Sequence, residues 1–194
     1  KLNIFLMFSI MILYVVILYL FGISLVTLKY LLLVPLLISV LAIDFKERII
    51  PDRLILILFE IGMVFSIIEG FDSLNIFVDK ILGMIIGFGI FGLITLIGGL
   101  LTKKKAMGYG DVKLMAALGL IFGEMGILMI IVISFLIAAI VSIVLLVIRK
   151  KKFTEYIAFG PYISVASFIV MMSSTNVLLY ILLKIFTLGT YSLG

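Results

Sequence analysis

Two aspartates at the edges of apolar runs are the side chains best suited to chemistry in this sequence. Asp44 ends the run 41–44, and Asp111 closes the Gly-Tyr-Gly-Asp motif at 108–111, after which apolar sequence resumes. Ionisable groups at membrane depth cost free energy and are therefore functional candidates. Two neighbouring carboxylates cannot both ionise cheaply, so a bundle that brought these together would let them share one proton. Such a pair can activate water and protonate a scissile carbonyl oxygen, as an aspartic protease does.

The composition removes most other routes to hydrolysis. The chain has no Cys and no His, which excludes disulfides, Cys-based zinc sites, HExxH metalloproteases, Ser-His-Asp triads and Cys-His dyads. Only carboxylates, hydroxyls and lysines remain. The aspartate mechanism needs no metal, nucleotide or covalent intermediate, so we expect no cofactor.

Each aspartate also has a simpler explanation. Asp111 could cap the helix that follows it, and Asp44 could lie among lipid headgroups and pair with Lys46 or Arg48. The surrounding residues favour a site instead. Pro51 ends any continuation of the helix that carries Asp44 and starts the next segment, so a tight turn separates two helices. Gly108 and Gly110 allow another backbone to approach closely, as an extended peptide substrate must.

Two further carboxylates are weaker candidates for a catalytic role. Asp52 follows Pro51 and is expected to cap or open the next segment. Glu60 stands in the middle of an apolar segment, where it is expected either to face the bundle interior or to pair with a lysine such as Lys80.

These residues must be positioned by membrane helices. Of the 194 residues, 65% are hydrophobic and 13% are charged, whereas about half are apolar in an ordinary globular domain. A span needs about 20 apolar residues. The sequence predicts an all-α, polytopic helical membrane bundle with about 7–8 apolar segments, forming a single integral membrane domain over 1–194 without a soluble domain. The predicted segments are 2–27, 30–43, 54–68, 76–101, 112–122, a sixth that follows a turn at 123–126 and ends near 148, 156–172, and 177–188. Whether the last one spans is left open.

The basic residues predict the orientation. Eleven of the fifteen Lys and Arg fall in three loops, at 46–53, 103–113 and 149–152, which is the positive-inside bias of membrane proteins rather than a nucleic-acid patch. With the N-terminus inside, all three loops are cytoplasmic. Asp44 and Asp111 then lie on the same, cytoplasmic, side.

The motifs at 44–52 and 108–114 together resemble those of the type IV prepilin peptidase family, membrane aspartic proteases of the GxGD type. The pairs Leu118-Gly119 and Phe122-Gly123 and the triplet Phe159-Gly160-Pro161 also resemble family positions. The resemblance implies that Asp44 and Asp111 are the catalytic pair. It also implies that Gly108 and Gly110 shape the substrate approach, and that the 159–161 triplet walls the mouth of the site.

The activity implied by this resemblance is removal of the short basic leader of prepilins or pilin-like precursors. The cut would fall after a Gly, at the cytoplasmic face of a prokaryotic cell membrane. One departure stands out, because bifunctional members carry a loop with paired Cys motifs. Here Cys is absent and segments one and two join around 27–29, so N-methyltransferase activity is not expected. The chain resembles compact peptidase-only members; the bacterial or archaeal branch stays open.

Two alternatives remain beside this hypothesis. A presenilin-like intramembrane protease would use the same carboxylates, but the first motif has no Tyr-Asp and the end of the chain no Pro-Ala-Leu. A non-enzymatic transporter or assembly subunit would use Asp44 and Asp111 to bind an ion or a partner. Transporters commonly show repeats and matched half-helix breaks, which the sequence lacks. The oligomeric state is left open.

Overall fold

The structure, a computed structural model, describes residues 2–71, 73–102, 108–148, 158–173 and 175–186. Every regular element in these ranges is an α-helix, which confirms the all-α prediction. The helices are α1 (Leu2–Phe21), α2 (Leu25–Glu47), α3 (Asp52–Gly70), α4 (Leu74–Thr102), α5 (Tyr109–Val147), α6 (Gly160–Met172) and α7 (Thr175–Phe186). The basic loops at 103–105 and 149–152 lie outside the described residues.

Several helices have the length and composition of membrane spans. In the described part of the chain, Leu25–Glu47, Leu74–Leu100 and Tyr109–Val147 are long and apolar enough to cross a bilayer. Leu6–Phe21 and Gly160–Met172 are apolar but shorter. The fold is therefore a helical membrane bundle, as the composition predicted.

The predicted junction between the first two segments was wrong. It lies at 22–24 rather than at 27–29, because α1 ends at Phe21 and α2 already begins at Leu25. Gly22 follows α1 with a positive φ of 59°, a common way to end a helix. Ser24 then caps α2 by accepting a hydrogen bond from the backbone N–H of Thr27 at 3.2 Å. At its other end α2 continues past Asp44 to Glu47.

A reversal at Gly123 divides α5 into a first arm (109–122) and a second arm (124–147). Gly123 has φ 76° and ψ −174°, a combination open essentially to glycine alone. Asp79 stabilises the start of the second arm, because its Oδ1 accepts the N–H of Glu124 at 3.2 Å. The turn predicted at 123–126 is thus confirmed, and the change of direction is made by Gly123 alone.

The first arm of α5 packs closely against α4 through glycines. A Cβ on Gly83 would lie 2.5 Å from the carbonyl oxygen of Gly119, and one on Gly87 would lie 2.5 Å from that of Met115. Backbones therefore touch along this interface, a close approach that the GxxxG spacing of Gly83 and Gly87 is typical of. Contacts with α3, α4 and α6 make α5 the centre of the bundle.

Candidate active site

Asp44 lies in the last turn of α2 and points into the bundle. Its side chain is buried, with the residue 4% exposed, and its Oδ2 accepts a hydrogen bond of 2.9 Å from the backbone N–H of Gly160. Within the described residues it forms no ion pair with Lys46 or Arg48. The simpler explanation of Asp44 as a headgroup-level partner of these two cations is therefore wrong.

Asp111 lies in the first turn of α5 and is 3% exposed. Its Oδ2 accepts the backbone N–H of Gly108 at 3.3 Å, which is a helix-capping interaction. Its Oδ1 is buried and has no hydrogen-bond partner among the described residues. The capping explanation therefore accounts for only one of the two oxygens, and buried polar atoms without a partner call for another explanation.

Contacts between the two motif loops bring these carboxyl groups to one end of the bundle. A Cβ on Gly110 would lie 3.1 Å from the Cβ of Ile50, so the glycine motif packs directly on the turn after α2. Lys113 and Asp52 form an exposed ion pair of 2.7 Å between the first turns of α5 and α3. These contacts place the start of α5, which carries Asp111, against the turn that follows Asp44.

The start of α6 completes the surroundings of Asp44. Gly160 is the first residue of α6, and a Cβ there would lie 2.6 Å from the Oδ2 of Asp44, so only glycine allows this approach. Phe159 precedes it, with ring centroids 5.7 Å from Phe91 and 5.1 Å from Phe135. Pro161 is buried in the first turn of α6. The triplet therefore lies against Asp44, and aromatic packing fixes its position.

An apolar cavity of about 560 Å³ lies between the end of α2, the second arm of α5 and the start of α6. Asp44 does not line it, but Phe45 and Pro161, the neighbours of Asp44 and Gly160 in sequence, do. Its wall includes Leu41, Phe45, Arg48, Pro161 and Tyr162. This volume lies within the range of about 300–1,000 Å³ typical of small-ligand sites. In the ranges that the structure describes, no group of three or more acidic side chains could hold a metal ion.

Sequence reasoning missed some contacts and misplaced one residue. The Gly160 N–H, the Ile50–Gly110 contact and the Asp52–Lys113 pair were not foreseen, although Phe159-Gly160-Pro161 had marked the right segment. Asp52 opens α3 as predicted. Glu60, in contrast, is exposed and Lys80 pairs with Glu69 at 3.4 Å, so both expectations for Glu60 were wrong. The phase of α3 turns it away from the bundle.

The fold and the site define a class of protein: a multi-helix membrane protein with two buried carboxyl groups at one end of its bundle. The sequence profile described as the type IV leader peptidase family matches residues 31–143, a range that contains both aspartates and more than half of the chain. The chain belongs to this family.

Curated relatives agree with this assignment. The chain is 35% identical over 146 residues to the prepilin leader peptidase/N-methyltransferase of Aeromonas hydrophila, covering 75% of this chain and 49% of the relative. A protein of the same description from Neisseria gonorrhoeae is 34% identical over 157 residues, covering 81% and 52%. The chain thus spans about half the length of the curated relatives it matches. No solved structure matches it.

Proposed function

We propose that this chain is a membrane aspartic endopeptidase that removes the leader of prepilin-type precursors, with Asp44 and Asp111 as the water-activating pair. The observation that carries the proposal is a pair of buried carboxyl groups in a member of the leader peptidase family. One of their oxygens has no hydrogen-bond partner within the described ranges. The names of the relatives supply the substrate class. The proposal concerns peptide cleavage only.

The hydrogen bonds around the pair support different roles for its oxygens, some holding the carboxyl groups in place and one contacting water or substrate. The Oδ2 atoms of Asp44 and Asp111 are held by the backbone N–H groups of Gly160 and Gly108. The Oδ1 of Asp111 has no partner in the part of the chain that the structure describes, which supports a role in contacting water or substrate. Backbone donors fix the orientation of a carboxyl group without supplying a full positive charge.

The chemistry then proceeds with one proton shared by the pair. The ionised carboxylate takes a proton from water as the water oxygen bonds to the scissile carbonyl carbon. The protonated carboxyl group donates its proton to the carbonyl oxygen. When the tetrahedral intermediate breaks, a proton passes to the leaving amine and the C–N bond cleaves. The protons belong to the pair as a unit, so acid and base are not assigned to single residues.

The site suits a substrate in which a basic leader is followed by an apolar segment. Basic residues around Lys46, Arg48 and Arg53 favour a cytoplasmic position for this end of the bundle, and the basic leader of a precursor would stay on the same side for the same reason. The apolar cavity at the end of α2 offers a surface for the hydrophobic segment after the cut. The close-packed glycine motif at 108–110 would then face the extended peptide.

Cleavage by purified protein in detergent tests the proposal. A prepilin-type leader substrate is incubated with wild type, Asp44→Asn and Asp111→Asn, and the product is identified by mass. We expect one cut after the leader Gly in wild type and a loss of about 10²–10⁴-fold in both variants, the usual effect of removing an acid–base group. Glu60→Gln is the matched control, because this exposed carboxylate lies outside the site.

Different outcomes separate the competing functions. Full activity in either Asn variant would remove that aspartate from the mechanism. If folded wild-type protein cuts none of several leader substrates, the non-enzymatic alternative, in which the two aspartates bind an ion or a partner, takes the place of the peptidase.

A further inference from the structure

A second cavity lies at the end of the bundle opposite to the aspartates. It has a volume of about 430 Å³ and is lined by the ends of α1 and α6, the start of α2, Lys80 of α4 and the reversal in α5. Lys29 in its wall precedes Asp44 by fifteen residues of the same helix, which corresponds to about 22 Å along the axis. The cavity is therefore separate from the proposed active site.

Buried charges surround this cavity. Lys29 and Lys80 are only 5% and 9% exposed, and both form ion pairs with a single carboxylate, Glu69. Lys80 also donates a hydrogen bond of 3.1 Å to the carbonyl oxygen of Ile121. Among the described residues, two ammonium groups thus share one negative charge. Buried charges are costly unless they are paired, and within the described ranges no second carboxylate forms an ion pair with either lysine.

The cavity wall also carries the groups that would hold an anion. Each ammonium group has three N–H donors, and the bonds to Glu69 and Ile121 use only some of them. Tyr30 and Ser173 add hydroxyl groups to the wall. The remaining wall is largely apolar, with Phe21 and Phe122 on one side. A compact oxyanion fits the polar part of this wall, and an apolar body attached to it, as in a lipid, would fit the rest.

We propose that this cavity binds one phosphate-type anion, which supplies a second counter-charge to Lys29 and Lys80. The anion is either the phosphate of a lipid headgroup or free phosphate. A volume of about 430 Å³ accommodates either, since small-ligand sites begin at about 300 Å³. The bound anion would link α2 and α4 through Lys29 and Lys80 and so stabilise this end of the bundle.

Thermal unfolding in bilayers of defined composition tests the proposal. The purified protein is placed in nanodiscs of phosphatidylcholine alone, of phosphatidylcholine with phosphatidylglycerol, or of phosphatidylcholine with added inorganic phosphate. A ligand at about 100 times its Kd raises Tm by roughly 5–10 °C for a chain of this size. A rise with phosphatidylglycerol only identifies a lipid headgroup, and a rise with inorganic phosphate identifies the free ion; either supports the site.

Charge-removing variants make the test specific to this cavity. Lys29→Met leaves Glu69 paired with Lys80, so we expect no anion-dependent rise in Tm and, in neutral lipid, a Tm equal to or above that of wild type. Lys80→Met should behave in the same way. Lys184→Met is the matched control, because this exposed lysine lies outside the cavity, and it should keep the wild-type response.

Three results would overturn the proposal. One is a wild-type Tm that does not change with either anion. Another is an equal rise in wild type and in both cavity variants, which would indicate a general effect of anionic lipid. The third concerns Asp72, which follows Glu69 by three positions and lies outside the described residues. If anions raised the Tm of Asp72→Asn but not that of the wild type, Asp72 itself would be the second counter-charge to Lys29 and Lys80.

Discussion

Replacing Gly160 with alanine tests whether the contact between α6 and Asp44 serves catalysis. The added methyl group would lie 2.6 Å from the Oδ2 of Asp44 and 3.1 Å from its Cγ. Either α6 or the carboxyl group must therefore move, and the 2.9 Å hydrogen bond from the Gly160 N–H would lengthen or break. The backbone of α6 can accept alanine here, because Gly160 has no positive φ.

The size of the effect follows from the bond that is lost. A hydrogen bond to a charged group contributes about 1.5–3 kcal/mol. If the transition state loses this free energy because Asp44 is misplaced, kcat/KM falls by about 10- to 150-fold, since each 1.4 kcal/mol changes a rate tenfold. Gly89→Ala is the control. It makes the same chemical change in α4, where an added Cβ meets nothing within 4 Å, so its activity should stay at the wild-type level.

Leader cleavage by the purified variants, measured as kcat/KM, gives the answer. Combining Gly160→Ala with Asp44→Asn should cost no more than Asp44→Asn alone, because both changes act on the same carboxyl group. Wild-type kcat/KM in folded Gly160→Ala would refute the assigned role of this contact. A full additional loss in the double variant would show that Gly160 acts on something other than Asp44.

Three further predictions concern the reversal in α5, the exposed ion pair and the shared proton. Gly123→Ala should cost at least about 1–3 kcal/mol because of its φ of 76°, lowering Tm by about 2–12 °C while Gly89→Ala does not; an unchanged Tm would contradict this. Asp52→Asn should lower kcat/KM less than about tenfold, because exposed pairs such as Asp52–Lys113 contribute about 0–1 kcal/mol; a loss as large as that of Asp111→Asn would assign Asp52 to the chemistry. Cleavage should decline towards high pH as the pair loses its shared proton, and a constant rate from pH 5 to pH 10 would argue against sharing.

Local signals in the sequence predicted much of the fold. Each predicted apolar segment corresponds to a helix, or to one arm of α5, in the described residues. Gly123 marked the reversal because few other residues adopt its backbone angles. The error at the junction of α1 and α2 came from following hydropathy alone. Apolar residues continue through 25–28, whereas Gly22 and Ser24 carry the local signals that end one helix and start the next.

Helix phase explains why Glu69, rather than Glu60, pairs with Lys80. The two glutamates are nine residues apart in α3, which places them about 180° apart around the helix axis. The buried residues of α3, among them Leu58, Gly62 and Phe65, lie on the side of Glu69. The buried face of α3 could therefore be predicted from the sequence. The partners of Glu69 could not, because Lys29 and Lys80 come from two other helices. The same limit applies to Gly160, which is 116 residues from Asp44.

The donors around the two aspartates fit a pair that must hold one proton. A lysine or arginine in contact with either carboxyl group would favour its ionised form and would oppose proton sharing. The structure instead places backbone N–H groups against Asp44 and Asp111, each from the start of a helix. Helix N-termini carry only a partial positive charge. The nearby Lys113 is paired with Asp52 at the exposed rim. Under the proposed mechanism, these backbone donors orient the two carboxyl groups, and the charge of each is set by the one proton that they share.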